Sequence, residues 1–295
     1  MRYRYYTCDV FTNSRFGGNP LAVLPAAAGL TTEAMQNIAR EFNFSETTFV
    51  LEPEQGHTRR VRIFTPAREV PFAGHPNVGT AFVLAKIGDI EVGTPAIFEE
   101  KAGLVPVDVR NQDDSIWCEL KTPQSIEIGK AAPVELVAQC LSLDPAEILI
   151  DKHPPQEVSA GLPFLVVELR DESALAKAVA DTTRIQQLHE SGIAADILVY
   201  VARRDSSELE VRMFAPLDGV PEDPATGSAN CALVGMLTQN RSLDDGEYQW
   251  QIRQGDHMGR PSHLFARTQV SKGQLDGIWI GGTCVMVCEG TIECG

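Results

Sequence analysis

The sequence predicts an α+β protein of two equivalent units, each a curved sheet around one central helix, and three observations carry that reading. The first is an internal repeat. Arg62-Ile63-Phe64-Thr65-Pro66 with Val70-Pro71 matches Arg212-Met213-Phe214-Ala215-Pro216 with Val220-Pro221, at a constant offset of 150 residues and with five of ten aligned positions identical. With three extra residues in the second copy, Ala73-Gly74-His75 falls on Thr226-Gly227-Ser228. The second observation is that residues 78–85 and 229–237, which follow these glycines, are apolar with almost no polar face. A helix that is apolar all round has to be wrapped on every side. The third is the frequency of strand signals between the helical ones.

The elements follow in chain order. Residues 31–42 place Met35, Ile38, Ala39 and Phe42 on one helical face. A strand is expected at 47–51, so Glu46 stands between that helix and the strand. Residues 60–64 and 208–214 alternate polar and apolar side chains as half-buried strands do, whereas 164–169 and 197–201 are apolar runs suited to buried strands. Residues 133–141 begin with a proline fitted to a first helical turn. The strand-like 115–120 ends at Lys121-Thr122-Pro123-Gln124, and no Gly/Ser linker or low-complexity run offers another junction. The expected division is therefore 1–122 and 123–295.

At 295 residues and 43% hydrophobic the chain can bury a full core. With 25 Lys plus Arg against 40 Asp plus Glu, its formal charge is −15. Polyanions and anionic membrane surfaces are repelled, so neither nucleic acid nor membrane is an expected partner. The first ten residues carry Arg2 and Arg4 but no apolar signal stretch, and no segment approaches a membrane span, so a cytoplasmic location is expected. Seven scattered cysteines, an odd number, are expected to be mostly reduced fillers.

Chemistry enters at the repeat. A helix that starts at Gly74 or Gly227 presents unpaired backbone N–H groups and the positive end of its dipole. Two such starts can grip a carboxylate, and glycine lets the backbone come close. A net-negative protein can hold an anion this way, because oriented peptide groups supply the attraction. Around the glycines stand His75, Asn77, Asp223 and Ser228. Asp223 and Ser228 also suit helix capping, and either glycine taken alone also suits a tight turn.

Asp9-Val10-Phe11-Thr12, Gly18-Asn19-Pro20, Asn43-Phe44-Ser45-Glu46-Thr47-Thr48-Phe49-Val50, Phe72-Ala73-Gly74-His75-Pro76 and Glu222-Asp223-Pro224-Ala225-Thr226-Gly227-Ser228-Ala229 together resemble the PhzF-like isomerase family. That family belongs with the diaminopimelate-epimerase-like proteins. The likeness runs on through Gln254-Gly255 and Met258-Gly259-Arg260-Pro261-Ser262 to residues 278–282. It implies two pseudo-symmetric domains, each a mostly antiparallel β-barrel around a central α-helix, with the active site between them, and it suggests a homodimer. It also implies that Glu46 shuttles a proton, that His75 and Asp223 complete the catalytic set, and that Gly74, Gly227 and Ser228 bind substrate. Related epimerases use two cysteines where this chain has Ala73 and Thr226, so double-bond migration or tautomerisation by one carboxyl group is expected instead of two-thiol racemisation.

The reading that results is an isomerase acting on a small carboxylated metabolite, with no cofactor and no metal. Asp256, His257 and His263, like Cys284, Cys288 and Cys294, lack a zinc-ligand spacing. Gly17-Gly18-Asn19-Pro20 and Gly281-Gly282 make no dinucleotide fingerprint. Two alternatives stay open: a non-catalytic ligand-binding or scaffold protein on the same fold, and an amino-acid epimerase or racemase with another second acid.

Overall fold

The computed structural model describes the chain except for residues 123, 204–206, 242–243 and 295. It divides into two compact units, Met1–Pro123 with Ile280–Gly295, and Gln124–Trp279. The first runs through β1 (Arg2–Val10), β2 (Asn19–Leu24), α1 (Thr32–Phe42), β3 (Glu46–Leu51), β4 (Arg59–Phe64), β5 (Glu69–Val70), α2 (Gly74–Lys86), β6 (Ala96–Glu100), β7 (Gly103–Gln112) and β8 (Ser115–Lys121). The second holds β9 (Glu127–Ala131), α3 (Val134–Leu141), β10 (Gln156–Ser159), β11 (Pro163–Glu168), α4 (Glu172–Lys177), α5 (Thr182–Glu190), β12 (Ile197–Ala202), β13 (Glu208–Ala215), β14 (Val220–Asp223), α6 (Gly227–Asn240), β15 (Gly246–Gln254) and β16 (Ser262–Ser271). The last strand, β17 (Gln274–Glu293), starts in the second unit and ends in the first.

In the first unit β1, β2, β3, β4, β6, β7, β8 and β17 follow one another around a closed eight-stranded barrel. The pairs β2–β3 and β4–β6 are parallel; β1–β17, β1–β2, β3–β4, β6–β7 and β7–β8 are antiparallel. The sequence division ran the second domain to residue 295. Residues 280–295 instead count with the first unit, because β17 pairs with both β1 and β8 and so closes that barrel. Pro123, at the expected junction, lies outside the described residues.

Helix α2 runs inside this barrel against β1, β2, β3, β7 and β8, and every residue from Gly74 to Leu84 is buried. Its all-round apolar surface leaves it no solvent side, and its one mid-helix hydroxyl is met from the wall, Thr80 Oγ1 lying 2.8 Å from Thr48 Oγ1. At Gly79 the wall comes so close that a Cβ would stand 2.6 Å from side-chain carbons of both Val10 and Leu21. Helix α1 packs outside, burying Met35, Ile38 and Ala39 against Leu24, Phe49 and Phe64. It begins where Thr31 accepts the Ala34 N–H and ends at Asn43, whose φ of 52° is left-handed.

The second unit repeats the plan. The pairings β10–β11 antiparallel, β11–β12 parallel, β12–β13 antiparallel, β13–β15 parallel and β15–β16 antiparallel match, in order, those from β1 to β7. Strands β10, β11 and β16 pack on the buried α6, while Val137, Leu141, Leu175, Ile185 and Leu188 from α3, α4 and α5 cover the outer face of the sheet. The register repeats as well: Phe49 faces Arg62 across β3–β4, and Val199 faces Arg212 across β12–β13. Both arginines form two-pronged ion pairs, with Glu69 at 2.8 and 2.8 Å and with Glu222 at 2.8 and 2.8 Å. Each also lies over a phenylalanine, Arg62 on Phe64 at 5.1 Å and Arg212 on Phe214 at 4.9 Å. The repeat read in the sequence is thus one structural unit built twice, the α+β barrel-around-helix fold that was expected.

Candidate active site

The start of α2 organises the candidate residues of the first unit. Ala73 is its N-cap in an extended conformation, no side chain caps the helix, and its first turn holds no acidic residue. The N–H groups of Gly74 and His75 therefore have no intrahelical acceptor, and Pro76 has no N–H to satisfy. Asn77, one turn in, donates its Nδ2 to the Ala73 carbonyl at 3.0 Å and so fastens the first turn to the chain that enters it.

Glu46 is the first residue of β3, in register with Leu21 on β2. Its Oε2 lies 3.4 Å from Nδ1 of His75, and its side chain is 17% exposed, enough for a reactant to touch. Asn19, which opens β2, brings its Nδ2 to 3.4 Å from the same ring nitrogen. The ring itself is buried, and burial pushes its pKa down to about 3. At neutral pH the Glu46–His75 contact therefore joins a carboxyl group to an uncharged imidazole and is not an ion pair. The other ring nitrogen, Nε2, is buried with no protein partner among the described residues.

The second unit has the same skeleton with different fittings. Strand β14 ends at the buried Asp223, whose Oδ2 accepts the Thr226 hydroxyl at 2.5 Å. Thr226 is the N-cap of α6, again with no side-chain cap and no acid in the first turn, followed by the buried Gly227 and half-buried Ser228. The N-cap position of α6 is held by Thr226, so neither Asp223 nor Ser228 occupies it. Asn230 donates its Nδ2 to the Thr226 carbonyl at 3.0 Å, as Asn77 does in the first half. Gln254, at the end of β15, joins these groups. Its Oε1 accepts from Asn230 Nδ2 at 2.9 Å and from the Thr226 N–H at 3.1 Å, while its Nε2 donates to the Asp223 carbonyl at 2.8 Å.

The structure thus places Glu46, Gly74 and His75 together in the first unit, and Asp223, Gly227 and Ser228 together in the second. Sequence reasoning missed the supporting amides Asn230 and Gln254 and the tie from Asn77. The signal was present: Asn77 and Asn230 each stand three residues after the repeat glycine. Ala73 and Thr226, which the resemblance sets against the paired cysteines expected of two-thiol epimerases, are the N-caps of the two buried helices. Cys231 is buried within α6, and burial pushes its thiol pKa far above the ordinary value, as befits a packing residue.

Comparison with known proteins agrees with this architecture. The model of a family described as phenazine biosynthesis-like proteins matches residues 8–290. An uncharacterised isomerase of Mesorhizobium japonicum is 38% identical, with 98% of each chain covered. The trans-2,3-dihydro-3-hydroxyanthranilate isomerase of Pseudomonas aeruginosa is 34% identical, also over 98% of each chain. Among solved structures, a phenazine biosynthesis protein of the PhzF family from Bacillus anthracis superposes with a TM-score of 0.89 over 100% of both chains at 24% identity, which speaks for the fold.

Proposed function

Since the chain belongs to the phenazine biosynthesis-like family and is a PhzF-like isomerase, we propose that Glu46 takes a proton from one atom of a small carboxylated substrate and returns it to another without a cofactor. The observation that carries this is the pairing of the partly exposed Glu46 carboxyl with the buried, uncharged His75 ring at 3.4 Å. A neutral imidazole can donate or accept a hydrogen bond beside the carboxyl group in either of its protonation states, which suits a group that takes up a proton and returns it. His75 and Asp223 orient polar groups of the substrate, and the uncapped helix starts at Gly74 and at Gly227–Ser228 supply N–H donors for its carboxylate.

The relatives named after trans-2,3-dihydro-3-hydroxyanthranilate make that compound the first candidate substrate. Among the described residues no helix is long and apolar enough to cross a membrane. A cytoplasmic homodimer belongs to this reading, and the mass of the protein in solution tests the dimer.

The decisive experiment is incubation with candidate carboxylates in deuterated water, followed by mass analysis. Wild-type protein should place solvent-derived label in the isomerised product. Glu46→Gln should lower that rate by about 10²–10⁴-fold, the range supplied by a positioned acid/base, while substrate binding largely survives. Equal rates in the two proteins would end the assignment, and inversion of a stereocentre without double-bond movement would select an epimerase.

A further inference from the structure

Strands β6 and β15 hold the same place in the two halves, each parallel to the strand that carries the repeat arginine. Arg60 is in register with Glu99, and Glu210 with Arg253. Arg60 and Glu210 correspond at the 150-residue offset, so the next residues, Glu100 and Gln254, correspond too. Both close their strands. In the second half the Gln254 amide is fully engaged, accepting from Asn230 and Thr226 and donating to the Asp223 carbonyl and, at 3.1 Å, to the Thr226 hydroxyl. In the first half both Glu100 carboxyl oxygens are shut off from solvent, and neither makes a hydrogen bond of good geometry; Oδ1 of Asn77 is in the same position.

A carboxylate offers only acceptors, whereas a carboxylic acid offers one acceptor and one donor, the same edge as a glutamine amide. We propose that Glu100 is a positioning residue: as an uncharged acid it takes in the first half the place of Gln254 in the second, gripping Asn77 and, through it, the Ala73 carbonyl at which the Gly74–His75 helix start is hung. Asn77 is the residue that answers to Asn230, and its tie to Ala73 is already in place at 3.0 Å. Burial pushes the Glu100 carboxyl up to about 8; Asn77 acts the other way, and no charged group acts on it. The charges around it are committed elsewhere. Lys101 pairs with Glu69 and Arg59 with Asp89, each at 2.7 Å, and Arg60 pairs with Glu54. Glu99 accepts the backbone N–H groups of Glu54, Gln55 and His57. From α2 the nearby titratable group is the uncharged His75, and on β7 the register partner of Glu100 is Gly103.

A carboxyl whose pKa is raised on folding loses stability as pH climbs from its unfolded value, about 4.5, towards 8, because the unfolded chain ionises first. Glu100→Gln keeps the amide-like edge and removes the proton. The test is carboxyl-labelled glutamate NMR on the full chain, read together with the amide signals of Gly74 and His75. One glutamate should titrate near pH 8 and be missing in Glu100→Gln. The Gly74 and His75 signals should follow that titration in the wild type and stay flat in the variant, whose thermal midpoint should gain on the wild type as pH rises from 5 to 8. Where kcat/KM is measurable, its fall of about tenfold per pH unit above 8 should vanish in Glu100→Gln, and Glu100→Ala should lower it at every pH. Titration of Glu100 below pH 6, or helix-start signals that ignore it, would overturn the proposal. It rests on the functional reading only in treating that helix start as part of the candidate site. If Glu46→Gln stayed active while the Glu100 titration appeared as described, the reading of function would fail and the clamp would stand.

Discussion

The His75 ring makes its own stability signature. Its folded pKa, about 3, lies below the ordinary 6.5. The stabilisation tied to its uncharged form is therefore complete above about 6.5 and is lost as pH falls towards 3, at up to about 1.4 kcal/mol per pH unit. His75→Gln, uncharged at every pH, should lack this slope. Urea midpoints of the two proteins should accordingly differ more at pH 7 than at pH 4, in favour of the wild type; parallel pH profiles would show that the ring is not held neutral by burial. Glu46 is the complementary case. The sequence sets it between α1 and the strand expected at 47–51, and the structure makes it the first residue of β3; the ring it meets comes from α2, 29 residues further on. Residue type and motif named both partners, and only folding set the contact.

Among the elements, the two buried helices and the strands that repeat around them invite separate tests. Gly79 packs where a Cβ would collide with Val10 and Leu21 at 2.6 Å. Gly79→Val should cost about 1–3 kcal/mol through overpacking, seen as a lower melting temperature, despite the helix propensity lost by glycine. The repeat arginines carry unequal loads. Arg212 is buried and, besides Glu222, donates to the carbonyls of Leu175 and Ala178 at 2.8 Å each. Arg62 is more exposed, and its partner Glu69 keeps a second cation, Lys101, at 2.7 Å. Arg212→Met should therefore cost about 3–5 kcal/mol, the penalty for stranding one member of a buried pair, and Arg62→Met clearly less. Equal losses of thermal stability would refute this division of roles. The all-round apolar character of α2 and α6 was readable because a helix with no polar face admits one environment. That Asn77, Asn230 and Gln254 would fasten their starts was not, since these amides act across strands distant in sequence.

For the molecule as a whole, the return of the chain in β17 is the feature that sequence segmentation misplaced. A chain ending at Trp279 would remove the strand that pairs with β1 and β8 and leave the first barrel open along both edges. We expect such a chain to lose hydrogen-exchange protection throughout β1 and β8 while the amides of α6 and β13 keep theirs; protection retained in β1 would show that the barrel does not depend on its last strand.

What the sequence determined by itself is the part of this protein that depends on local pattern: the doubled Arg-x-Phe unit, the glycine-led apolar helices, the motif that makes Glu46, His75 and Asp223 the residues to test, and membership of an isomerase family. Tertiary structure alone decided which groups share a neighbourhood. It set Glu46 against an imidazole kept neutral by burial, wired Asp223 to Thr226 and Gln254, left the Glu100 carboxyl buried beside Asn77, and carried β17 back to close the first barrel. The reason is physical. Periodicity and motif report on neighbours along the chain, whereas desolvation and hydrogen-bond partnership arise from strands and helices that only the folded chain brings together.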